Sequence, residues 1–401
     1  MRFGLDRMRR LMTALDSPHR AFRTIHVVGT NGKSSTVRMI AALLDRHGVR
    51  SGAYLSPHLV SFTERIRIDG EDISEEQFAA AVGRARQATA LVDRTLDEDD
   101  RVTQFEALTA AAYAQLAAAG VEVAVVEAGL GGRWDATNVI DARVVVLTNV
   151  GLEHTRWLGP TVRDIAREKL AVVAGGATLV LGPDLHPDAD AEAQLVAARQ
   201  NATIVRAPAE PPPGLELLAR GAFQRRNFAV ACAAAEACLG RFDIEAARAA
   251  AVSTAVPGRF QVLADSDGGA EVVLDGAHNP DGIAALADSL PEFLAGRPLV
   301  AVVSVLDDKD AAAMLAELLA LCAAAVFTAN ANPRALSPAT LAALAGQVGP
   351  QATARVEADP RRAVALAREL AGPGGVVLAT GSIYLIADLL RPAGAGRGST
   401  L

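Results

Sequence analysis

Lys33 stands where a chain could handle phosphate. It belongs to Gly29-Thr30-Asn31-Gly32-Lys33-Ser34-Ser35, between an apolar run at Thr24–Val28 that reads as a strand and a stretch at Ser34–His47 that reads as a helix, with Val37, Ile40, Ala41 and Leu44 at helical spacing. A strand, a glycine-containing turn and a helix together aim backbone N–H groups and a positive helix end at phosphate oxygens. Lys33 adds a movable positive charge for the terminal phosphates, and the hydroxyl of Ser34 or of Ser35 could reach Mg²⁺. The strict phosphate-loop pattern asks for glycine where this chain has Val27, so a shorter variant is present. The chemistry predicted is that of an ATP-using enzyme.

Further candidates sit on other loops. Ser56 and His58 follow a strand-like run at Gly52–Leu55, Glu127 ends the strand Val121–Glu127, and His154 follows the strand Arg143–Asn149. Mg²⁺ takes oxygen ligands and shares them with phosphate and water, which suits Glu127 well and His154 less well. In the second half, Leu274-Asp275-Gly276-Ala277-His278-Asn279-Pro280 closes the strand Glu271–Leu274, and Gly381-Ser382 follow Gly375–Ala379. Asp275 could hold a ribose hydroxyl or an amine, and His278 a carboxylate. Each of these loops reads equally well as turn chemistry. Lys169, in Arg167-Glu168-Lys169 on a helix at Thr161–Val173, reads alone as part of a solvated face. Gly129-Leu130-Gly131-Gly132-Arg133 is not GxGxxG and gives no dinucleotide signal. Asp307-Asp308-Lys309-Asp310 reads as a solvated charge run.

The elements that must position these residues alternate. Thr178–Leu181 and Thr203–Val205 continue the strands, Arg206–Leu218 is a proline-rich loop, and helices follow at Asn227–Cys238 and Ile244–Val252. After Val256-Pro257-Gly258-Arg259 the rhythm restarts with strands at Pro298–Val303, Ala324–Thr328 and Gly375–Ala379, and with helices at Ala311–Cys322 and Pro360–Leu370. This βαβ rhythm predicts an α/β chain of mostly parallel sheets, whose ligands bind at the carboxyl ends of the strands. It divides into an N-terminal phosphate-loop domain, 1–255, and a smaller Rossmann-like α/β domain, 256–401, with a hinge at Val256–Gly258 and a disordered tail from Pro392. With 401 residues, two cores are expected. A net charge of −7 argues against general nucleic-acid binding. Cys232, Cys238 and Cys322 form no zinc or disulfide pattern. No apolar run reaches about 18 residues, and Met1–Arg10 lacks a signal core. The expectation is a cytoplasmic protein with no membrane partner.

In combination, these motifs resemble the folylpolyglutamate synthase and dihydrofolate synthase family, relatives of the Mur ligases. The resemblance is carried by His26 to Lys33, Ser56-Pro57-His58-Leu59, Glu64-Arg65-Ile66, Thr103-Gln104-Phe105-Glu106, Gly129 to Asn138, Gly151-Leu152-Glu153-His154-Thr155, Arg167-Glu168-Lys169, Pro257-Gly258-Arg259, Asp275 to Pro280 and Thr380-Gly381-Ser382. It runs from about Phe3 to Leu390. It implies an ATP-dependent ligase that adds L-glutamate to a folate, and to dihydropteroate, through an acyl phosphate. Gly29 to Ser35 would hold ATP phosphates together with Asn227, Arg259 and Asp275. Ser56, Glu127 and His154 would bind Mg²⁺, and a carbamylated Lys169 would support a second Mg²⁺. Thr103, Phe105, Arg133 and Asp135 would line the pterin side, and His278 and Ser382 the incoming glutamate. The family also implies a monomer. The chain departs from the family in having Ser34 directly after the lysine, and in a short segment before the loop, which bears on dihydropteroate. A Mur-type ligase for another carboxylate and a phosphate-loop ATPase without ligation are the alternatives.

Overall fold

Short Val- and Ile-rich runs do alternate with alanine-rich helices in the computed structural model, which describes residues 4–263, 269–349 and 351–392. The chain forms two compact units. One holds the chain up to His58, Phe62–Leu218 and Arg225–Thr254; the other holds Leu59–Ser61, Ala219–Gln224 and the chain from Ala255.

In the first unit the sheet order is Glu71–Asp72, Ile66–Ile68, Ser51–Tyr54, Val123–Glu127, Arg23–Val28, Val144–Leu147, Thr178–Leu181 and Thr203–Arg206. The last six run parallel. Val123–Glu127 and Val144–Leu147 are buried along their whole length, as strands covered on both faces should be. Register does the positioning: Val27 pairs with Glu127 and Val28 with Leu147, so Gly29, Glu127 and Thr148 emerge at one carboxyl edge. Thr24 and His26 share a face with Ala124, Val126, Val145 and Leu147. Helices Asp6–Ala14, Gln104–Ala118, Val162–Leu170 and Pro187–Gln200 pack there. Helix Lys33–Arg46 packs on the opposite face, where the Ser51 hydroxyl donates to the Ala41 carbonyl.

The second sheet runs Thr353–Val356, Ala324–Phe327, Leu299–Val303, Val376–Thr380, Glu271–Leu274 and Gln261–Leu263, antiparallel only at the last pair. Helices Pro280–Leu294, Ala311–Leu319 and Pro338–Val348 cover one face, and Pro360–Ala371 and Ile383–Leu390 the other.

The differences from the sequence reading are local. The hairpin Ile66–Ile68 to Glu71–Asp72 was not expected, although Asp69 and Gly70, both at positive φ, are the residues a tight two-residue turn demands. Helix Val162–Leu170 is shorter than Thr161–Val173: the Thr161 hydroxyl accepts the Asp164 N–H and caps its start, and its last residue is Leu170, with Ala171 at the C-cap. Helix Ala222–Leu239 starts before Asn227. The expected disordered tail, beyond Pro392, lies outside the described residues. Among the described residues no helix is long and apolar enough to cross a membrane.

One buried ion pair ties the amino-terminal helix to this frame. Arg7 Nε lies 3.0 Å from both Glu106 oxygens, and its Nη1 2.8 Å from Asp100. Glu106 also accepts from the Thr103 N–H, and Thr103 Oγ1 from the Glu106 N–H, which makes a capping box. Arg7→Ala strands a buried carboxylate and should cost about 3 kcal/mol. Arg10→Ala, at an exposed pair with Asp6, should cost under about 1 kcal/mol. Urea unfolding midpoints of the two variants check this contrast.

Candidate active site

The phosphate loop is shaped by what it rests on. Gly32 takes φ 80° and begins helix Lys33–Arg46; a Cβ there would lie 2.5 Å from Asn227 Oδ1. At Gly29 a Cβ would lie 1.9 Å from Thr148 Oγ1. Both positions therefore accept only glycine. The neighbouring strand end forms the cradle. The Thr30 N–H donates to the Asn149 carbonyl at 3.0 Å, the Asn31 N–H to Asn149 Oδ1 at 2.8 Å, the Gly151 N–H to Thr30 Oγ1 at 3.0 Å, and Thr148 Oγ1 to the Asn31 carbonyl at 2.6 Å.

Two lysines meet over this loop. Lys33 Nζ donates to the carbonyls of Gly29 and Thr30 at 3.1 and 2.9 Å, and Lys169 Nζ donates to the same Gly29 carbonyl at 2.7 Å. Lys169 is buried. Desolvation and the Lys33 charge push its ammonium down to about 7, against the opposing pull of Glu153 and Asp135. Beside them, the Ser34 hydroxyl donates to Glu127 Oε1 at 2.8 Å, and the Ser56 backbone N–H to Glu127 Oε2 at 3.1 Å. The Ser35 side chain lies buried in the helix. Glu127 and Ser34 are oxygen donors, the kind a divalent ion takes when phosphate and water complete its shell. Among the described residues no group of three or more His, Cys, Asp and Glu side chains is placed to hold a metal.

The other predicted residues divide into brought together and placed elsewhere. Ser56 Oγ is 3.4 Å from Arg65 Nη1, and Arg65 Nε donates to His58 Nδ1 at 3.0 Å, so Arg65 fixes this loop. His154, at φ 54°, starts a short helix and lies 4.0 Å from Glu153; its side chain is 40% exposed, that of Glu153 only 9%. Thr103 is a helix cap, and Phe105 stacks on Tyr54 with ring centroids 6.3 Å apart. Arg133 pairs with Glu168 at 2.8 Å, while its N–H donates to the Glu168 carbonyl. A Cβ on Gly132 would lie 2.6 Å from the Lys169 carbonyl, so the glycine-rich loop sits directly on the helix that carries Lys169. Asp135 is buried and accepts from Leu130 N, Thr137 N and Thr137 Oγ1; desolvation holds its pKa above the usual carboxylate value.

In the second unit, the loops at the carboxyl edge carry the predicted residues. Asp275 is buried and accepts from the N–H groups of Phe260 and Ala277, both at 2.8 Å; desolvation raises its pKa and the nearby Arg259 opposes this. His278 Nδ1 lies 2.9 Å from the Gly276 carbonyl. Asn279 caps helix Pro280–Leu294, and Ser382 caps helix Ile383–Leu390 by accepting from Tyr384 N.

Arg65 and Glu153 entered the sequence reading only as members of motifs, without roles, and the Thr148–Asn149 cradle was missed. A compositional signal also existed for Lys169. Of the 39 Lys and Arg residues only three are lysine: Lys33, Lys169 and Lys309. Where arginine serves almost every cationic position, a lysine stands out, because its compact ammonium, unlike a guanidinium, can lose its proton when buried.

A strand–loop–helix phosphate site joined in one chain to a second parallel-sheet unit defines a Mur-type ATP-dependent ligase. The family models agree: the Mur ligase middle domain matches residues 27–184, and the Mur ligase glutamate ligase domain matches 258–383. The chain belongs to the dihydrofolate synthase/folylpolyglutamate synthase family. It is 36% identical to the dihydrofolate synthase/folylpolyglutamate synthase of Mycobacterium tuberculosis over 387 residues, covering 86% of this chain and 78% of that one. The M. tuberculosis folylpolyglutamate synthase solved with ADP and AMPPCP superimposes with a TM-score of 0.89 at 33% identity, over 98% of this chain and 96% of that one. The bifunctional enzyme of Yersinia pestis, solved with AMPPNP and a Mn ion, gives 0.84 at 30% identity, over 97% and 93%. The chain is accordingly an ATP-dependent enzyme that ligates glutamate to folates.

Two outcomes are expected. Gly32→Ala should abolish nucleotide binding in a titration while the far-ultraviolet circular dichroism spectrum stays native, since both φ and Asn227 oppose a Cβ only at the loop. With ¹³C-labelled lysine, one of three side-chain resonances should titrate near pH 7, neutral above and charged below. Its loss in Lys169→Ala assigns it.

Proposed function

We propose that Lys33, Lys169, Glu127 and Ser34 together carry phosphoryl transfer from ATP to the γ-carboxylate of a folate or to the carboxylate of dihydropteroate. The observation that carries this reading is the meeting of both lysines at the Gly29 carbonyl, next to the Ser34–Glu127 pair. A carboxylate is a poor electrophile. A carboxylate oxygen attacks the γ-phosphorus, ADP leaves, and an acyl phosphate forms. The amine of L-glutamate then attacks the acyl carbon, loses a proton, and phosphate departs with the C–O bonding pair. Lys33 lies where it would neutralise charge spreading onto the transferred group, and loop N–H groups orient it.

The ion's ligands would be Glu127, the Ser34 hydroxyl rather than that of Ser35, and the loop of Ser56, with His154 at the far side of the cradle. Mg²⁺, when bound, supplies charge neutralisation of the phosphates. Lys169 has the features of a carbamylation site. Its amine is neutral in part at pH 7, and CO₂ adds only to a neutral amine, releasing a proton. The carbamate also turns a repelling cation beside Lys33 into an anion that would support a second Mg²⁺. Asn227 touches the loop at Gly32 and would contact ATP, as would Arg259 and Asp275. Thr103, Phe105, Arg133 and Asp135 frame the folate side. His278 and Ser382, at the carboxyl edge of the second sheet, would receive glutamate. The family matches at 27–184 and 258–383 support an ATP-binding domain at 1–255 and a glutamate-ligase domain at 256–401. We place the enzyme in the cytoplasm as a monomer: its three cysteines are free thiols, and each sheet is covered by helices of its own unit.

Incubation with ATP, Mg²⁺, L-glutamate and either dihydropteroate or a reduced folate should release phosphate and yield a product heavier by one glutamyl residue. Phosphate release indifferent to both acceptors would refute the reading. Lys33→Ala should lower kcat by at least about 100-fold with the fold intact. Lys169→Ala should remove a bicarbonate-dependent part of the rate, and near-normal, bicarbonate-insensitive turnover would overturn the carbamate.

A further inference from the structure

The connection from Glu127 to Val144, which contains the glycine-rich loop, is fastened to the phosphate strand by two alternate residues on one face. Thr24 Oγ1 donates to the Asp141 carbonyl at 3.3 Å, and His26 Nε2 lies 2.9 Å from Thr137 Oγ1. Thr137 Oγ1 in turn lies 2.5 Å from Asp135 Oδ1. A threonine hydroxyl has one proton, and an ionised carboxylate can only accept. The Thr137 proton therefore goes to Asp135, and the Thr137 oxygen accepts from His26. This fixes the His26 tautomer with its hydrogen on Nε2. His26 is fully buried, its Nδ1 has no hydrogen-bond partner, and burial pushes its pKa down to about 3, so the ring stays uncharged. A leucine at position 26 would fill this apolar face without making the bond. Nothing in strand formation asks for imidazole there.

We propose that His26 and Thr137 are positioning residues for the folate side of the active site: the chain from His26 Nε2–H through the Thr137 hydroxyl to the Asp135 carboxylate holds the Gly129–Asn138 loop in register with the phosphate loop. The proposal rests on the reading that this loop meets the folate. The same strand ends in Gly29, where both lysines converge, and the same loop lies on the Lys169 helix at Gly132. The relay thus ties the loop assigned to the folate to the strand that leads into the phosphate loop. Asp135 already takes backbone N–H donors from Leu130 and Thr137, so the hydroxyl adds direction more than charge.

The test is steady-state kinetics on the full chain, with the KM for the folate and the KM for ATP measured separately. Folate-dependent turnover by the unaltered enzyme establishes the reading beneath the proposal; its absence is that reading's failure, not this one's. Thr137→Val should raise the folate KM roughly tenfold, the worth of one buried hydrogen bond, with the ATP KM within about twofold. Thr137→Ser should restore it. His26→Gln, whose amide nitrogen can occupy the Nε2 position, should behave nearly as the parent, and His26→Leu as Thr137→Val. The double variant His26→Leu/Thr137→Val should be no worse than either single one, because both break one chain. Thr24→Val removes the other strap without touching Asp135 and should lower Tm while leaving the KM ratio unchanged. Equal changes in both KM values, additive effects, or the same ratio change in Thr24→Val would overturn the proposal. If Thr137→Val does not fold, the His26→Gln and His26→Leu pair decides alone.

Discussion

Two ammonium groups share one backbone carbonyl at Gly29, and much of the first unit is arranged around that contact. Both lysines donate to the same oxygen, so their charges stand within about 6 Å of each other, which at an effective dielectric near 20 is about 3 kcal/mol of repulsion. Such a pair is stable only when a proton leaves or an anion arrives. The structure provides for both. Lys169 is the buried partner, so desolvation and repulsion act on it together. The loop from Gly29 to Gly32 leads into the N-terminus of helix Lys33–Arg46, the end of a helix that favours anionic oxygens. Nucleotide phosphate at the loop and loss of the Lys169 proton are two answers to one electrostatic problem.

The sheet makes that coupling rigid. Val27 pairs with Glu127 on one side and with Val146 on the other, so three strand ends are locked level by backbone hydrogen bonds. The loops leaving those ends are mutually fastened. Thr148 and Asn149 carry the phosphate loop, and Gly132 presses on the backbone of the Lys169 helix. Glycine at 29, 32 and 132 is required by proximity, since a methyl group at each would meet another atom at under 3 Å. Preorganisation of this kind leaves little reorganisation for the moment of reaction.

How much of this the sequence disclosed depends on the range of each interaction. Strands such as Val123–Glu127 and Leu299–Val303 were legible because continuous apolar runs bounded by glycine admit few other readings. The phosphate loop was legible because its grammar is local. The Asp69-Gly70 hairpin was equally local and was passed over, its strands being too short to show alternation. Arg7 and Glu106 are 99 residues apart, and nothing near either announces the other. Thr103 to Glu106 was read as substrate-lining through its resemblance; the structure shows first a capping box, a job that the Thr-x-x-Glu spacing states by itself. Lys169 looked like one charge on a wet helix face, and it was the family resemblance that distinguished it; the scarcity of lysine in an arginine-rich chain was a further signal left unused.

Asp135 shows why a motif residue need not be a simple ligand. A buried carboxylate is costly unless several donors face it. Here they come from its own loop, from Leu130 and Thr137, and their geometry folds Gly129–Asn138 around the anion. The field of that anion reaches Lys169 and opposes the loss of its proton, while Lys33 favours it. Asp135 therefore tempers how readily Lys169 becomes neutral, whatever else it touches. One carboxylate thus shapes the loop and adds, after burial, Lys33 and Glu153, to the balance at Lys169, and a substitution there would disturb both.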